Sequence, residues 1–341
     1  PGGEVLAEPY DMPHTNECVS ALASCLLSYQ EDVRVVLEAT GHYHWPVVSL
    51  LIDHGIFVSC INPLQMKKYS AQSIRKGKTD KIDSIKIAQY GIAYWNNLIK
   101  CESSSDVYME LRTFSRQYYI YLNILIKAKI NLDILLDQVM PGINNIIYDQ
   151  EGRHNLTDFV KLYWHYDRIT SQSEIDFIGR YNRWAKSIGC RSSDTKAKKI
   201  YDRAVDSIPV LPCISSTKLL VHEAVRIVRE AEQARDKILE HMQKLACALP
   251  EYNVMISMCG IGSVLDSRLS AEIGDVRRFH SRGALIAYAG IDAPPYQSGA
   301  FTSQNRRISK RGNKYLRKTG YEIMLSIARK KPTSDDAVYQ Y

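Results

Sequence analysis

The chain has 341 residues, 45% of them hydrophobic and 24% charged, a balance that excludes overall disorder and leaves material for more than one core. No 18-residue apolar run or signal peptide is present, and the eight cysteines are scattered without a C-x-x-C pair. These features argue against membrane insertion, secretion, a zinc site or a disulfide framework, and suit a reducing cytoplasm.

In chain order, Glu4 to Glu8 alternates as an edge or hairpin strand does. Val33 to Leu37 and Ile56 to Ile61 are apolar runs fit for buried strands. Between them Trp45 to His54 reads as a helix stopped by Gly55, so the N-terminal third is expected to be α/β with a parallel βαβ unit. Thr79, Asp80 and Asp83 open a helix that continues through Ile85, Ile87 and Ala88. Apolar positions at helical spacing run from Asp106 to Met140, where Pro141-Gly142 ends them, and again from Ser215-Ser216 to Pro250. Two such helices imply either an antiparallel coiled-coil spacer or dimerisation arm, or core packing within one chain. Residues 143–212 carry mixed helical signals and no motif. The expected division is 1–105, 106–250 and 251–341.

Several residues carry possible chemistry. Glu38 closes the first strand, at the carboxyl edge where α/β proteins build sites. Asp80 and Asp83 share the first turn of their helix beside Lys78 and Lys81. Helix capping is one explanation for such acids; paired hard oxygen ligands for Mg²⁺ or Mn²⁺ are the other. Met258-Cys259-Gly260-Ile261-Gly262, followed by the amphipathic Ser263 to Ile273, resembles the turn of a helix-hairpin-helix whose glycines let backbone amides approach phosphates. Ser298 sits beside Gly299 in a Pro-rich loop, an accessible position for a nucleophile. Net charge is +7, and from Phe301 to Lys331 ten Lys or Arg stand against one acid, Glu322. In that run Arg306, Arg307, Lys310, Arg311, Asn313, Lys314 and Arg317 are candidate phosphate contacts, the alternative being a solvated helix face.

Three stretches together resemble the insertion sequence 110 family of transposases. They are Leu37 to Tyr43 with Asn62-Pro63-Leu64-Gln65; Lys78-Thr79-Asp80-Lys81-Ile82-Asp83; and Ser298-Gly299 with Ile308 to Arg317. Order and spacing match too, so the resemblance spans nearly the whole chain. It implies a RuvC-like, ribonuclease-H-type α/β domain, a long-helix coiled-coil spacer and a mostly helical C-terminal domain with the helix-hairpin-helix-like element. Glu38, Asp80 and Asp83 fall on the second, third and fourth acids of a DEDD set that holds Mg²⁺ or Mn²⁺. Ser298 falls on a nucleophile that joins covalently to DNA while the carboxylates of another subunit hold the metal, in a homo-dimer or tetramer. The implied partners are DNA and, for some relatives, a structured guide RNA; the implied setting is a bacterial or archaeal cytoplasm at the nucleoid.

The first acid does not carry over. In the family it lies in a strand before the segment that Gly3 to Ala7 resembles, and Asp11 is no substitute. The family's tail beyond 335–341 is also missing. The chain is therefore expected to be a piece of a longer protein that binds metal poorly and catalyses little alone. Two other readings stay open: a RuvC-like Holliday-junction nuclease in which water replaces Ser298, and a non-catalytic nucleic-acid-binding protein whose acids cap helices.

Overall fold

The computed structural model describes residues 4–39, 41, 43–71, 79–101, 106–147, 153–293, 297–298, 301–302 and 307–330. They form two compact units, 1–105 and 106–341.

In the first unit α1 (Asn16–Ser28) starts at Thr15, whose hydroxyl accepts from the Cys18 amide. β1 (Arg34–Glu38), α2 (His44–Asp53) and β2 (Phe57–Ile61) make the βαβ unit. β1 and β2 pair in parallel with Arg34 opposite Phe57 and Glu38 opposite Ile61. Gly55, at φ 79°, turns the chain from α2 into β2, a left-handed position that favours glycine. Val19 and Ala23 of α1 close over Val48 and Leu51 of α2 and Val58 of β2 to form the core. Asn62 ends β2 and caps α3 (Pro63–Ser70): its side chain accepts from the Leu64 amide, and Pro63 takes the first helical turn, where its missing N–H costs nothing. α4 (Asp80–Ala93) follows, then a 3-10 turn at Trp95–Asn97. The strand expected at Glu4 to Glu8 does not form. Val5 and Leu6 stay 68% and 74% exposed, so no partner strand or buried face rewards an extended ladder there.

The second unit is built on two long helices, α5 (Asp106–Val139) and, after a helical insertion, α11 (Ser215–Cys247). They run antiparallel, since Tyr108 near the start of α5 meets Glu251 just past α11, and Lys129 meets Glu232. At 1.5 Å per residue each is roughly 50 Å long. Pro141 and Gly142, the latter at φ 77°, end α5. The insertion comprises α6 (Asn144–Ile147), α7 (Arg153–Leu162), α8 (Asp167–Thr170), α9 (Glu174–Ser187) and α10 (Asp194–Asp206). It forms an aromatic-rich core with the far half of the pair: Phe159, Tyr166 and Phe177 are fully buried against Leu132 and Leu136 of α5 and Val221 and Val225 of α11. The long helices thus pack within one chain. On the side of α5 away from that core, Ile120, Ile124, Ile130 and Ile134 are 43–54% exposed.

Beyond α11 come α12 (Tyr252–Ser257), α13 (Ser263–Ile273), α14 (Arg282–Ala289), a hairpin of β3 (Gln297–Ser298) and β4 (Phe301–Thr302), and α15 (Lys314–Lys330). This region packs on the other half of the long pair, where Leu111 and Tyr119 of α5 and Met242 of α11 meet Ala271 and Tyr315.

Candidate functional site

Glu38 is the last residue of β1 and half-buried; the Ala39 amide carries the ladder one step further by donating to the Ile61 carbonyl at 2.9 Å. Two contacts fix the direction of α4 against this strand. Arg34, at the start of β1, donates to the Trp95 carbonyl just past α4 at 2.6 Å. Gly91, one turn earlier, lies so close to Val36 that an added Cβ would stand 2.9 Å from Val36 Cγ2. Two residues forward on the strand therefore correspond to four back on the helix, so α4 runs antiparallel to β1. With rises of about 3.3 Å per strand residue and 1.5 Å per helical residue, Glu38 is level with Ile87, and the first turn of α4 overhangs the carboxyl edge of the sheet.

Burial along α4 has the period of an inward-facing stripe: Asp83, Lys86, Ile87 and Tyr90 are partly buried and Gly91 fully. Asp83 heads that stripe, whereas Asp80 and Lys81 are exposed. Neither aspartate caps the helix; Thr79 does, accepting from the Ile82 amide at 3.2 Å. The pairing of Asp83 with Lys86, at 3.9 Å, is loose. Hence β1 and α4 carry Glu38 and Asp83 to the same sheet edge, with Asp80 one turn away on the outer side. The donor chemistry suits a hard divalent cation, but the side chains are not drawn into one ligand set. Among the described residues the one trio whose ligand atoms all lie within 4.8 Å of one another is His165, Asp167 and Cys213 in the second unit. Lys78 lies outside the described residues.

In the second unit Ser298 pairs with Phe301 in the β3–β4 hairpin, and Arg306 lies outside the described residues. Residues 307–313 are laid along the end of α14. The Ser309 amide donates to the Asp292 carbonyl at 2.8 Å, Lys310 to Gly290 at 2.9 Å and Asn313 to Tyr288 at 2.6 Å. Ser309 Oγ also bonds the Asp292 carboxylate. Gly312 makes this approach possible, because a Cβ there would stand 2.1 Å from the Tyr288 carbonyl oxygen. Arg307, Lys310, Arg311 and Lys314 remain exposed on the outer side of the loop and the first turn of α15.

Two family models match the chain. One, described as a transposase and labelled for the DEDD insertion sequence 110 group, covers residues 1–141; the other, "Transposase IS116/IS110/IS902 family", covers residues 252–340. The chain belongs to the IS110 family of transposases. Among curated relatives, the insertion element IS116 uncharacterized 44.8 kDa protein of Streptomyces clavuligerus is 24% identical over 84% of this chain and 70% of its own length. The pilin gene-inverting protein of Moraxella bovis is 23% identical over 84% of this chain and 64% of its own length. Membership ties the chain to DNA transposition, as a DNA-processing enzyme that acts on DNA. Among the described residues no helix is long and apolar enough to cross a membrane. The first match takes in the acids, the second Ser298 and the basic loop, and residues 142–251 lie between the matched segments.

Three candidate DNA contacts of the transposase have structural duties. Asn313 caps α15, accepting from the Tyr315 and Leu316 amides at 2.9 and 3.1 Å, and donates to Glu272 at 2.7 Å. Arg317 donates to the Ala289 carbonyl at 2.8 Å, anchoring α15 to the end of α14. Gly260, at φ 82°, is tucked against α15, where a Cβ would stand 2.5 Å from Ile327 Cγ1, so its conformation serves packing. Gly262 faces open space at the start of α13.

What the sequence did not reveal is the buried polar network behind the loop. Glu272, fully buried, accepts from Ser115 and Arg116 of α5, each at 2.9 Å, and from Asn313. Arg112 donates to the Tyr288 hydroxyl at 3.0 Å and to the Glu272 carbonyl at 3.2 Å. Burial pushes the Tyr288 phenol up, but Arg112, the Asn313 amide and Arg278 outweigh it and hold it below its ordinary value. Arg268, also buried, bonds Tyr119 and Glu322, so the one acid of the basic run is spent inward.

Proposed function

We propose that this transposase cuts and rejoins DNA strands with Ser298 as nucleophile and with Glu38, Asp80 and Asp83, in a RuvC-like domain, as ligands of Mg²⁺ or Mn²⁺. The observation that carries the reading is the antiparallel seating of α4 on β1, which brings Asp83 to the sheet edge that Glu38 closes. Ser298 Oγ attacks a DNA phosphorus, losing its proton as the P–O bond forms. The bridging ester oxygen leaves with one strand end and takes up a proton to become a hydroxyl. The phosphoserine link keeps the phosphate activated until the hydroxyl of a second strand end displaces the serine, which regains its proton. A divalent cation at the acids supplies charge neutralisation on the phosphate oxygens. Arg307, Lys310 and Arg311 hold the DNA backbone beside the serine.

As the family resemblance implies, completion of one site across two copies of the chain is part of the proposal, and the exposed isoleucines of α5 are the apolar face a second copy would cover. Full-length protein with Ser298→Ala should form no covalent protein–DNA adduct, and Glu38→Gln should lose the Mg²⁺ dependence of adduct formation. Cleavage that persists unchanged in Ser298→Ala would instead make water the nucleophile and overturn the serine role.

A further inference from the structure

The helical insertion contains an uncompensated cluster of positive charge. A cavity of about 390 Å³ opens between the end of α7, α8 and α9, lined by Arg168, Arg180 and Arg183 together with Tyr163, Ser171 and Gln172. All three arginines are exposed at its mouth, and among the described residues none has a carboxylate within 4.0 Å. The acids nearest in sequence are engaged elsewhere: Asp158 pairs with Arg229, Glu174 with Lys198, Asp176 with Ser173, and Asp167 lies 3.6 Å from His165. Three guanidinium groups around one opening repel one another, and an anion with several acceptor oxygens relieves that repulsion while satisfying their planar donor forks. The wall adds neutral donors. Burial pushes the Tyr163 phenol up against the opposing pull of Arg180 and Arg183, so it keeps its proton at neutral pH.

We infer that this cavity is a phosphate-binding site. It is independent of the acids and of Ser298, and lies in the stretch between the two family matches. A monoanionic carboxylate satisfies fewer of the guanidinium donors than a phosphate, and at about 390 Å³ the cavity has room for a phosphate group. The two sources are a nucleic-acid backbone and free phosphate.

The test uses the whole chain and Arg180→Gln/Arg183→Gln, with Arg180→Lys/Arg183→Lys as a charge-preserving control. Binding of fluorescent single-stranded and duplex oligonucleotides is measured by anisotropy across a salt series. Thermal unfolding is followed with inorganic phosphate against sodium chloride of equal ionic strength. If the source is a backbone, the Gln variant binds about tenfold more weakly, its log–log salt slope falls by about one to two, and the Lys variant retains most of the affinity. If the source is free phosphate, oligonucleotide binding is unchanged while the phosphate-dependent rise in melting temperature disappears in the Gln variant. Either result supports the site. Unchanged oligonucleotide affinity together with an unchanged response to phosphate overturns it, and the unliganded melting temperature of each variant reports whether the fold is intact.

Discussion

Glu272→Ala is the most searching perturbation of the C-terminal region, because one fully buried carboxylate there ties α13 to α5 and to the cap of α15. Hydrogen bonds to a charged group each contribute about 1.5–3 kcal/mol. The Arg116 side chain is 36% exposed, so water takes over part of its role and its share drops to about 1 kcal/mol. Ser115 is fully buried and cannot be rescued that way. Losing the acceptor and stranding its donors should therefore cost about 3–5 kcal/mol, in the range for breaking a buried charged group's partnerships. For a unit of this size each kcal/mol lowers the melting temperature by about 2–4 °C, so a fall of roughly 10 °C is expected by scanning calorimetry of the full chain. Asn313→Ala should be milder, and the double variant should show a coupling of about 1 kcal/mol or more. A fall of less than about 2 °C, or additive single effects, would refute the claim that this carboxylate locks the basic loop in place.

Four other outcomes follow from the same geometry. Gly312→Ala should destabilise the second unit by several degrees and weaken DNA binding, since its Cβ would overlap the Tyr288 carbonyl; a silent substitution in melting and anisotropy assays would contradict the packing. Burial lifts the Asp266 carboxyl above the ordinary aspartate value of 3.8, with a hydrogen bond from Ser270 opposing, and Asp266 Oδ2 has no hydrogen-bond partner. The folded state therefore binds this proton more tightly than the unfolded one, and the group's contribution to stability is full below pH 3.8 and declines as pH rises from there through the raised value. Asp266→Asn should remove that decline and raise the melting temperature at pH 8, and equal losses in wild type and variant between pH 4 and 8 would contradict it. Replacing Arg307, Lys310 and Arg311 with Gln should flatten the salt dependence of DNA affinity by about two to three in log–log slope, whereas an unchanged slope would place the DNA elsewhere. Ile124→Glu/Ile130→Glu should lower the oligomer mass measured by light scattering without lowering the melting temperature of the monomer; an unchanged mass would remove α5 as the contact face.

Sequence periodicity served well where one rule acts over many residues. The long helices were legible because thirty or so residues of helical spacing end at Pro141-Gly142 and Pro250, and the βαβ unit because two apolar runs flank a glycine-stopped helix. Short signals failed where tertiary context decides. Alternation at Glu4 to Glu8 implies a strand only if another strand accepts it. On α13 the charged side chains of Asp266, Arg268 and Glu272 are of types usually solvated, yet all three are buried, and Tyr119, Ser115 and Arg116, distant in sequence, satisfy Arg268 and Glu272. Asn313 and Arg317 stand among basic residues, and the sequence does not show that their side chains also make a helix cap and hold a carbonyl. Nothing local in the sequence announces these structural duties.

The two ends of the proposed chemistry are prepared to different degrees, and the difference has a physical origin. Behind the basic loop, Glu272 and Arg268 are buried and multiply bonded, so the backbone that carries Arg307 to Arg311 is held before any ligand arrives. Such preorganisation lowers the ordering cost of gripping a DNA phosphate. At the acid edge the backbone elements are fixed by Gly91 on Val36 and Arg34 on Trp95, whereas Glu38, Asp80 and Asp83 are not drawn into one ligand-sized cluster. Like charges hold one another apart until a cation gathers them. Under the proposed mechanism such a site would respond to metal and substrate together, and strand cleavage would await assembly on DNA.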